Sequence, residues 1–345
     1  MKKRTNATNP GAQRLNLKQL KAWESLGYGM FIHFGMSTFD GDELSMGDKP
    51  STAYAPDRLD VDQWVQVARD AGMKYAVLTA KHVAGHCLWP TKHNDYNVAT
   101  SGNKTDAVEA FVKACEKRGV APGLYYCSWD NHNRFGSQTP TYSDFKRAFT
   151  TVEYRDFQMK QVEELLSQYG PIAEMWIDIP VVLGPDGRRK QYEQIHRLQP
   201  DCLVMMNAAF QDGSKMDAVY DSVWPTDLMS LERWLPRSGG GYNPWHRISH
   251  GLRRTKFTGG TEDVPESNQD YYIPAEVCEP DARHWFYMPG DQPRSDAELL
   301  GIRLICRERK ANLLLNVPPN RHGVIPKMHV DALMRLRQNI DRSRV

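Results

Sequence analysis

The chain has 345 residues, and its 44 Lys and Arg against 42 Asp and Glu leave a net charge of +2, too little to recruit nucleic acid or an anionic membrane by bulk charge. A mean hydropathy of −0.62, with no apolar run near 18 residues, excludes a membrane-spanning helix. The six cysteines show no CxxC spacing, which argues against a zinc module and against a disulfide scaffold.

The N-terminus, MKKRTNATNPGAQRLNLKQL, starts basic but has no apolar run of the kind a signal peptide needs. The compartment stays open: cytoplasmic, or periplasmic or secreted if a signal has been removed. Residues 1–22 read as a polar extension and 23–345 as one domain. YGMFIHFG (28–35) is a buried-strand run, followed by VDQWVQVARDAG (61–72), which places Val61, Trp64, Val65 and Ala68 on one helical face. KYAVLTAK (74–81) is a second strand. TDAVEAFVKACEKRG (105–119) is a helix with Asp106 and Glu109 as a capping box and Gly119 as its stop.

APGLYYCS (121–128), AEMWIDIP (173–180) and CLVMMN (202–207) continue the strands, with helices expected at 152–168 and 188–198 between them. AVYDSVW (218–224) reads as the sixth strand. The stretch 226–294 loses the pattern and should hold one more strand. A helix at 294–310 and a strand at 311–319 restore the alternation. Near-continuous apolar strands alternating with helices mean a parallel sheet covered on both faces. No GxGxxG follows the first strand, so the expected fold is a single α/β domain, a (β/α)8 barrel.

In such barrels chemistry gathers at the carboxyl ends of the strands. The runs deliver His33 there, then Lys81, His82 and His86, then Tyr125, Tyr126, Ser128, Trp129 and Asp130, then Trp176 and Asp178, then Asn207, Asp221 and Trp224. Asp178, between Ile177 and Ile179, is costly to bury unless it has partners or a task, and it is the candidate nucleophile or base. His82 and His86 have the spacing of two metal ligands on a helix, but they follow a strand, flank Gly85 and lack a third ligand of suitable spacing. Neutral imidazoles that bond sugar hydroxyls fit better. The 9 Trp and 15 Tyr, many beside polar clusters, suit stacking on a sugar.

These residues carry a resemblance to the retaining α-L-fucosidases of glycoside hydrolase family 29, running from about Trp23 to Pro326. GYGMFIHFGMST resembles that family's FxIHWGxxS, and DAGMKYAVLTAKHVAGHCLWPTKHNDYNV its AGAKYxVLTxKHHDGFxLWxS. GLYYCSWDNHN resembles GxYYSxxDW, EMWIDIP the nucleophile strand ExWFDG, and LLLNVPPNRHGVIP the late LLLNxxPxxDGxIP. The resemblance implies double displacement without a metal or other cofactor. It assigns Asp178 as nucleophile, Trp176 as its companion, His33 and His82 as holders of sugar hydroxyls, and Tyr126 as a site tyrosine.

The chain departs from the family at three places. KHHDGF is here Lys81-His82-Val83-Ala84-Gly85-His86, so His86 stands where an aromatic is usual and can replace the lost donor. WFDG has become Trp176-Ile177-Asp178-Ile179, and an arginine often found after the fifth strand is replaced by Asn207-Ala208-Ala209. The second carboxyl is sought among Asp221, Asp227, Glu232, Glu276 and Glu279. Glu232 is favoured because SVWPTDLMSLERW occupies the region of the acid loop in one branch of the family. Asp227 and Glu276 are the alternatives; Glu276 can instead bind substrate beside Trp285, with Trp129 as a further sugar contact.

The expected function is an exo-glycosidase on terminal α-L-fucosides of oligosaccharides or glycoconjugates, or on a close relative such as an α-L-galactoside. A sugar-binding pseudo-enzyme and a metal-assisted hydrolase using His33, His82 and His86 are the other classes. No nucleic acid or membrane partner is expected. The family's C-terminal β-sandwich is not expected in this chain, so stability comes from the barrel alone or from a homo-oligomer. Aglycone specificity should reside in 226–294.

Overall fold

The apolar runs become strands buried on both faces, as a parallel sheet clad in helices requires. The computed structural model describes residues 15–133, 151–207, 223, 225–233, 252–254, 270–272, 274–308 and 310–342. Among these, eight strands form one sheet: β1 (Tyr28–Ile32), β2 (Tyr75–Lys81), β3 (Ala121–Cys127), β4 (Glu174–Asp178), β5 (Leu203–Asn207), β6 (Met229–Glu232), β7 (Ala275–Pro280) and β8 (Asn312–Asn316). Their order is β5-β4-β3-β2-β1-β8-β7-β6, with every pair parallel.

The two ends of this order, β5 and β6, are drawn together by the residues just ahead of β6. Asp227 N donates to Val204 O at 2.8 Å, Val204 N to Asp227 Oδ2 at 2.9 Å, and Met206 N to Thr226 Oγ1 at 3.1 Å. The sheet is therefore a nearly closed (β/α)8 barrel. The segment 218–224, read above as the sixth strand, lies outside the described residues apart from Val223. The sixth strand is Met229–Glu232, so the irregular stretch supplies two strands rather than one. It also holds an antiparallel ribbon of Leu252–Arg254 with Asp270–Tyr272.

Helices form where the sequence places caps. Asp106 accepts from Glu109 N at 2.9 Å to open Ala107–Arg118, which Gly119 ends at φ 64°. Asp60 opens Val61–Asp70 through Gln63 N, and Thr151 opens Val152–Gln168 through Tyr154 N. The helix after β4 begins earlier than expected, at Gly184 with Pro185 in its first turn.

Period-two alternation divides each strand between two cores. Met30, Ile32, Leu78, Leu124, Tyr126, Ile177 and Met206 point outward and pack with Val65, Phe111, Leu165 and Ile195 of the helices. Phe31, Tyr75, Val77, Tyr125, Cys127, Trp176, Met205, Cys278 and Leu314 fill the barrel itself. The amino end is sealed by helix Leu17–Glu24, whose Leu20 and Trp23 enter that inner core while Asn312 Nδ2 donates to Trp23 O. Six of the eight residues of this helix belong to the extension expected over 1–22. A sealed floor leaves the carboxyl end as the open one.

Candidate active site

At the carboxyl end lies a cavity of about 450 Å³, lined from seven of the eight strands or the turns that follow them. Asp178 stands in its wall as the last residue of β4. Its Oδ2 accepts from Tyr125 Oη at 2.6 Å, and its Oδ1 from Asn207 Nδ2 at 2.7 Å and from Ile179 N at 3.0 Å. Burial raises its pKa, and these three donors oppose that rise by stabilising the carboxylate. The parallel register places Cys127, Asp178 and Asn207 side by side, so the donor is set by the sheet itself.

The same Asn207 amide also donates to Glu232 Oε2, at 3.3 Å. Through that shared nitrogen the two carboxylate oxygens lie within about 6 Å of each other, near the roughly 5–5.5 Å of a retaining carboxyl pair and short of the wider inverting spacing. Burial first, and then the charge of Asp178, push Glu232 up to about 7. Three donors thus favour the charged form of one carboxyl, while burial beside that carboxyl disfavours it in the other, an asymmetry of the kind that sets apart the two carboxyls of a glycosidase.

Both carboxylates precede a strained residue. Ile179 at φ 49° and Arg233 at φ 50° occupy the left-handed region, which a β-branched side chain rarely enters. Ile179 fills the position that is glycine in the resembled WFDG motif. Its amide donates to both Asp178 and Asn207 O, and those bonds hold the conformation.

His33 and His82 both line the cavity, with ring centroids 5.6 Å apart. Asn316 donates through Nδ2 to Trp285 O at 2.8 Å, which turns its Oδ1 toward His33 Nδ1 at 2.7 Å. His33 Nδ1 must then carry the proton, which leaves Nε2 as an acceptor. Burial lowers the His33 pKa to about 3 and that of His82 well below the usual value, so both rings are neutral. His82 stacks on Tyr125, and its Nδ1 has no hydrogen-bond partner among the described residues.

His82 reaches the cavity through a bulge in β2. Thr79 pairs with Tyr125 but Lys81 with Tyr126, so one extra residue is inserted and the alternation resets. Lys81 consequently points outward, 4.4 Å over the Tyr126 ring and 2.8 Å from Asp130, in a fully buried ion pair. Gly85, at φ 79°, then turns the chain against Asp130, where a Cβ would lie 2.2 Å from Oδ1.

Trp176 and Trp285 join the wall as expected. Four other expected residues do not reach it. Tyr126 faces the helices and donates to Gln161 at 2.7 Å; its neighbour Tyr125 is the tyrosine in the site, because alternate residues of β3 face opposite sides. His86 is buried between Tyr54 and Tyr96 and bonded to Ser101 Oγ at 2.8 Å. Trp129 is buried with Nε1 on Asn131 Oδ1. Glu276 lies a layer below, accepting from Tyr75 Oη at 2.6 Å and Trp176 Nε1 at 2.8 Å.

Of the remaining carboxyl candidates, Asp227 is spent on the β5–β6 seam with Tyr192 and His196, and Glu279 pairs with Arg294. Asp221 and Trp224 lie outside the described residues. Tyr125 and Asn207, expected at the strand ends without an assigned role, also line the cavity, and the lining residues not anticipated include Glu43, Leu44, Arg233, Arg283 and His284. Strand parity could have indicated Tyr125; the loop residues carry no such signal. Among the described residues no group of three or more His, Cys, Asp or Glu is placed to hold a metal ion.

A family model described as Alpha-L-fucosidase matches residues 47–341. Alpha-L-fucosidase 1 of Arabidopsis thaliana is 30% identical over 339 residues, covering 94% of this chain and 58% of the relative, so the chain spans little more than half of that protein. Alpha-L-fucosidase isoenzyme 1 from Paenibacillus thiaminolyticus superposes with a TM-score of 0.71 at 23% identity, over 94% of this chain and 75% of its own. Alpha-L-fucosidase AlfC from Lactobacillus casei, solved with its α-L-fucose product, gives 0.71 at 20% identity over 95% and 100%. At those identities the two structures share the fold.

Proposed function

The chain belongs to the alpha-L-fucosidase family, and from that premise and the paired carboxyls we propose that it hydrolyses terminal α-L-fucosides with retention of configuration. The observation that carries this reading is the bridge from Asn207 to both Asp178 and Glu232. Asp178 attacks the anomeric carbon while Glu232, still protonated near pH 7, gives its proton to the departing oxygen. A glycosyl ester then replaces the Asp178 charge. The charge that helped to raise Glu232 is gone, so Glu232 ionises more readily and takes the proton of the incoming water. The unprotonated Nε2 of His33 is available to accept from a sugar hydroxyl.

The resembled motif has a second histidine where Val83 lines the cavity, so that side chain offers no donor. That favours keeping an altered sugar preference, such as α-L-galactoside, as the second reading. A panel of 4-nitrophenyl glycosides that contains both sugars tests the pair. Proton NMR of the first turnovers on the α-L-fucoside should show α-L-fucose before mutarotation. Initial release of the β-anomer, or turnover confined to an unrelated glycoside, sinks the proposal.

A further inference from the structure

The mouth of the cavity carries two guanidinium charges, of which Arg233 also acts on Glu232 by lowering its pKa. Arg233 and Arg283 both line it with exposed side chains. Among the described residues neither guanidinium has a carboxylate in ion-pair distance. Arg294, on the same loop as Arg283, is by contrast neutralised by Glu279. Of the carboxylates near this rim, Asp291 accepts from the amides of Arg283 and His284 and pairs with the His284 ring, Glu43 accepts from the amide of Trp285, and Glu232, just before Arg233, belongs to the carboxyl pair deeper in.

Arg233 is held in place before any ligand arrives. Its guanidinium lies 5.0 Å over the Trp285 ring and its Nη2 donates to Arg283 O at 3.0 Å, from a backbone strained at φ 50°. Strain of this kind persists where a site needs it. Leu44, on the same rim, is 42% exposed, an apolar surface of the sort that meets a pyranose face. Deeper in, Asp178 repels anions, so a negative group fits the mouth and not the position of the cleaved sugar.

We infer that the subsite for the leaving group takes a saccharide with an anionic substituent, a carboxylate or a sulfate ester, bound chiefly by Arg283 with Arg233 beside it. This rests on the glycosidase reading of the pocket. Guanidinium pairs with such oxyanions through short, charge-assisted hydrogen bonds, often two at once.

The test compares α-L-fucosyl disaccharides ending in galactose, galacturonate or galactose 6-sulfate, with 4-nitrophenyl α-L-fucoside as the neutral reference. At low salt the better anionic disaccharide should exceed the galactose one by about tenfold in kcat/KM, and the gap should close as added salt screens it. Arg283→Gln should lower kcat/KM for that anionic substrate about tenfold more than for the reference. The arm that responds tells sulfate from carboxylate. Equal kcat/KM across the three disaccharides, or a preference that survives Arg283→Gln, overturns the inference and leaves hydrolysis standing.

If no fucoside is turned over, hydrolysis fails and the subsite is read by calorimetry. Asp178→Asn protein is then titrated with galactose, galacturonate and galactose 6-sulfate. Anion-selective binding that depends on Arg283 upholds the subsite, and its absence overturns it.

Discussion

Two carboxyl pairs sit inside the same barrel, one above the other, and their surroundings differ. The upper pair, Asp178 and Glu232, opens to the cavity and shares the Asn207 amide. The lower pair, Glu174 and Glu276, is sealed in by Trp23, Tyr75 and Trp176, with Trp23 Nε1 on Glu174 Oε2 at 3.1 Å. Burial pushes both Glu232 and Glu276 up to about 7, and burial with the Glu276 charge holds Glu174 well above the carboxylate range. A raised pKa therefore does not distinguish an acid catalyst from a structural proton. Access at the carboxyl end of the strands does, and the comparison can be broken by experiment.

The largest effect belongs to Asp178. Asp178→Asn should lower kcat on 4-nitrophenyl α-L-fucoside by about 10³-fold or more, with a melting temperature near that of the wild type. Retention of more than a few per cent of activity removes Asp178 from the role.

Glu232→Gln should cost about 10²–10⁴-fold on substrates with poor leaving groups and much less on activated ones. It should also erase the alkaline limb of the kcat/KM profile, which the wild type places near pH 7. The same shift has a stability consequence. The folded-state pKa of Glu232 lies above its ordinary 4.5, so its favourable contribution is complete below that pH and lost as pH rises through about 7. Glu232→Gln lacks that loss, and its melting temperature relative to wild type should climb between pH 5 and pH 8. A parallel pair of curves would refute the burial argument.

Glu276→Gln draws the contrast with the lower pair. The variant should keep the alkaline limb where it is and lose activity by about tenfold at most, through a loosened Trp176. Its main cost should be stability, about 1–3 kcal/mol, because an amide cannot match the carboxylate as acceptor for both Tyr75 and Trp176. Chemical denaturation and a pH profile measured together read both. An alkaline limb that disappears with Glu276 would make the lower pair the catalytic one.

Most of the barrel was legible in the sequence because each strand run and its helix carry local signals: Asp60, Asp106 and Thr151 cap where the periodicity begins. β6 was not legible. It is four residues long, and its place is fixed by Asp227 and Thr226 reaching across to β5. In the site, Asp178 and Glu232 could be read from strand ends and motif order. His86 could not be placed correctly, since the turn at Gly85 carries it behind Tyr54. Glu43 and Trp285 meet across 242 positions of chain, a contact no local pattern announces.

The smallest predicted difference separates two adjacent residues. Tyr125 and Tyr126 are both buried phenols on β3, but one donates to Asp178 in the cavity and the other to Gln161 among the helices. Tyr125→Phe removes a donor that lowers the Asp178 pKa, so the acid limb of the rate profile should move to higher pH and kcat/KM should fall about tenfold. Tyr126→Phe should leave both limbs and kcat/KM near wild type. It gives up one buried hydrogen bond, about 1 kcal/mol, visible as a drop of roughly 2 °C in melting temperature. The resembled YY motif does not say which of the two faces the site; the parity of β3 against Trp176 and Asp178 does. An activity loss with Tyr126→Phe that equals or exceeds the loss with Tyr125→Phe would reverse that parity, and with it the placement of Asp178.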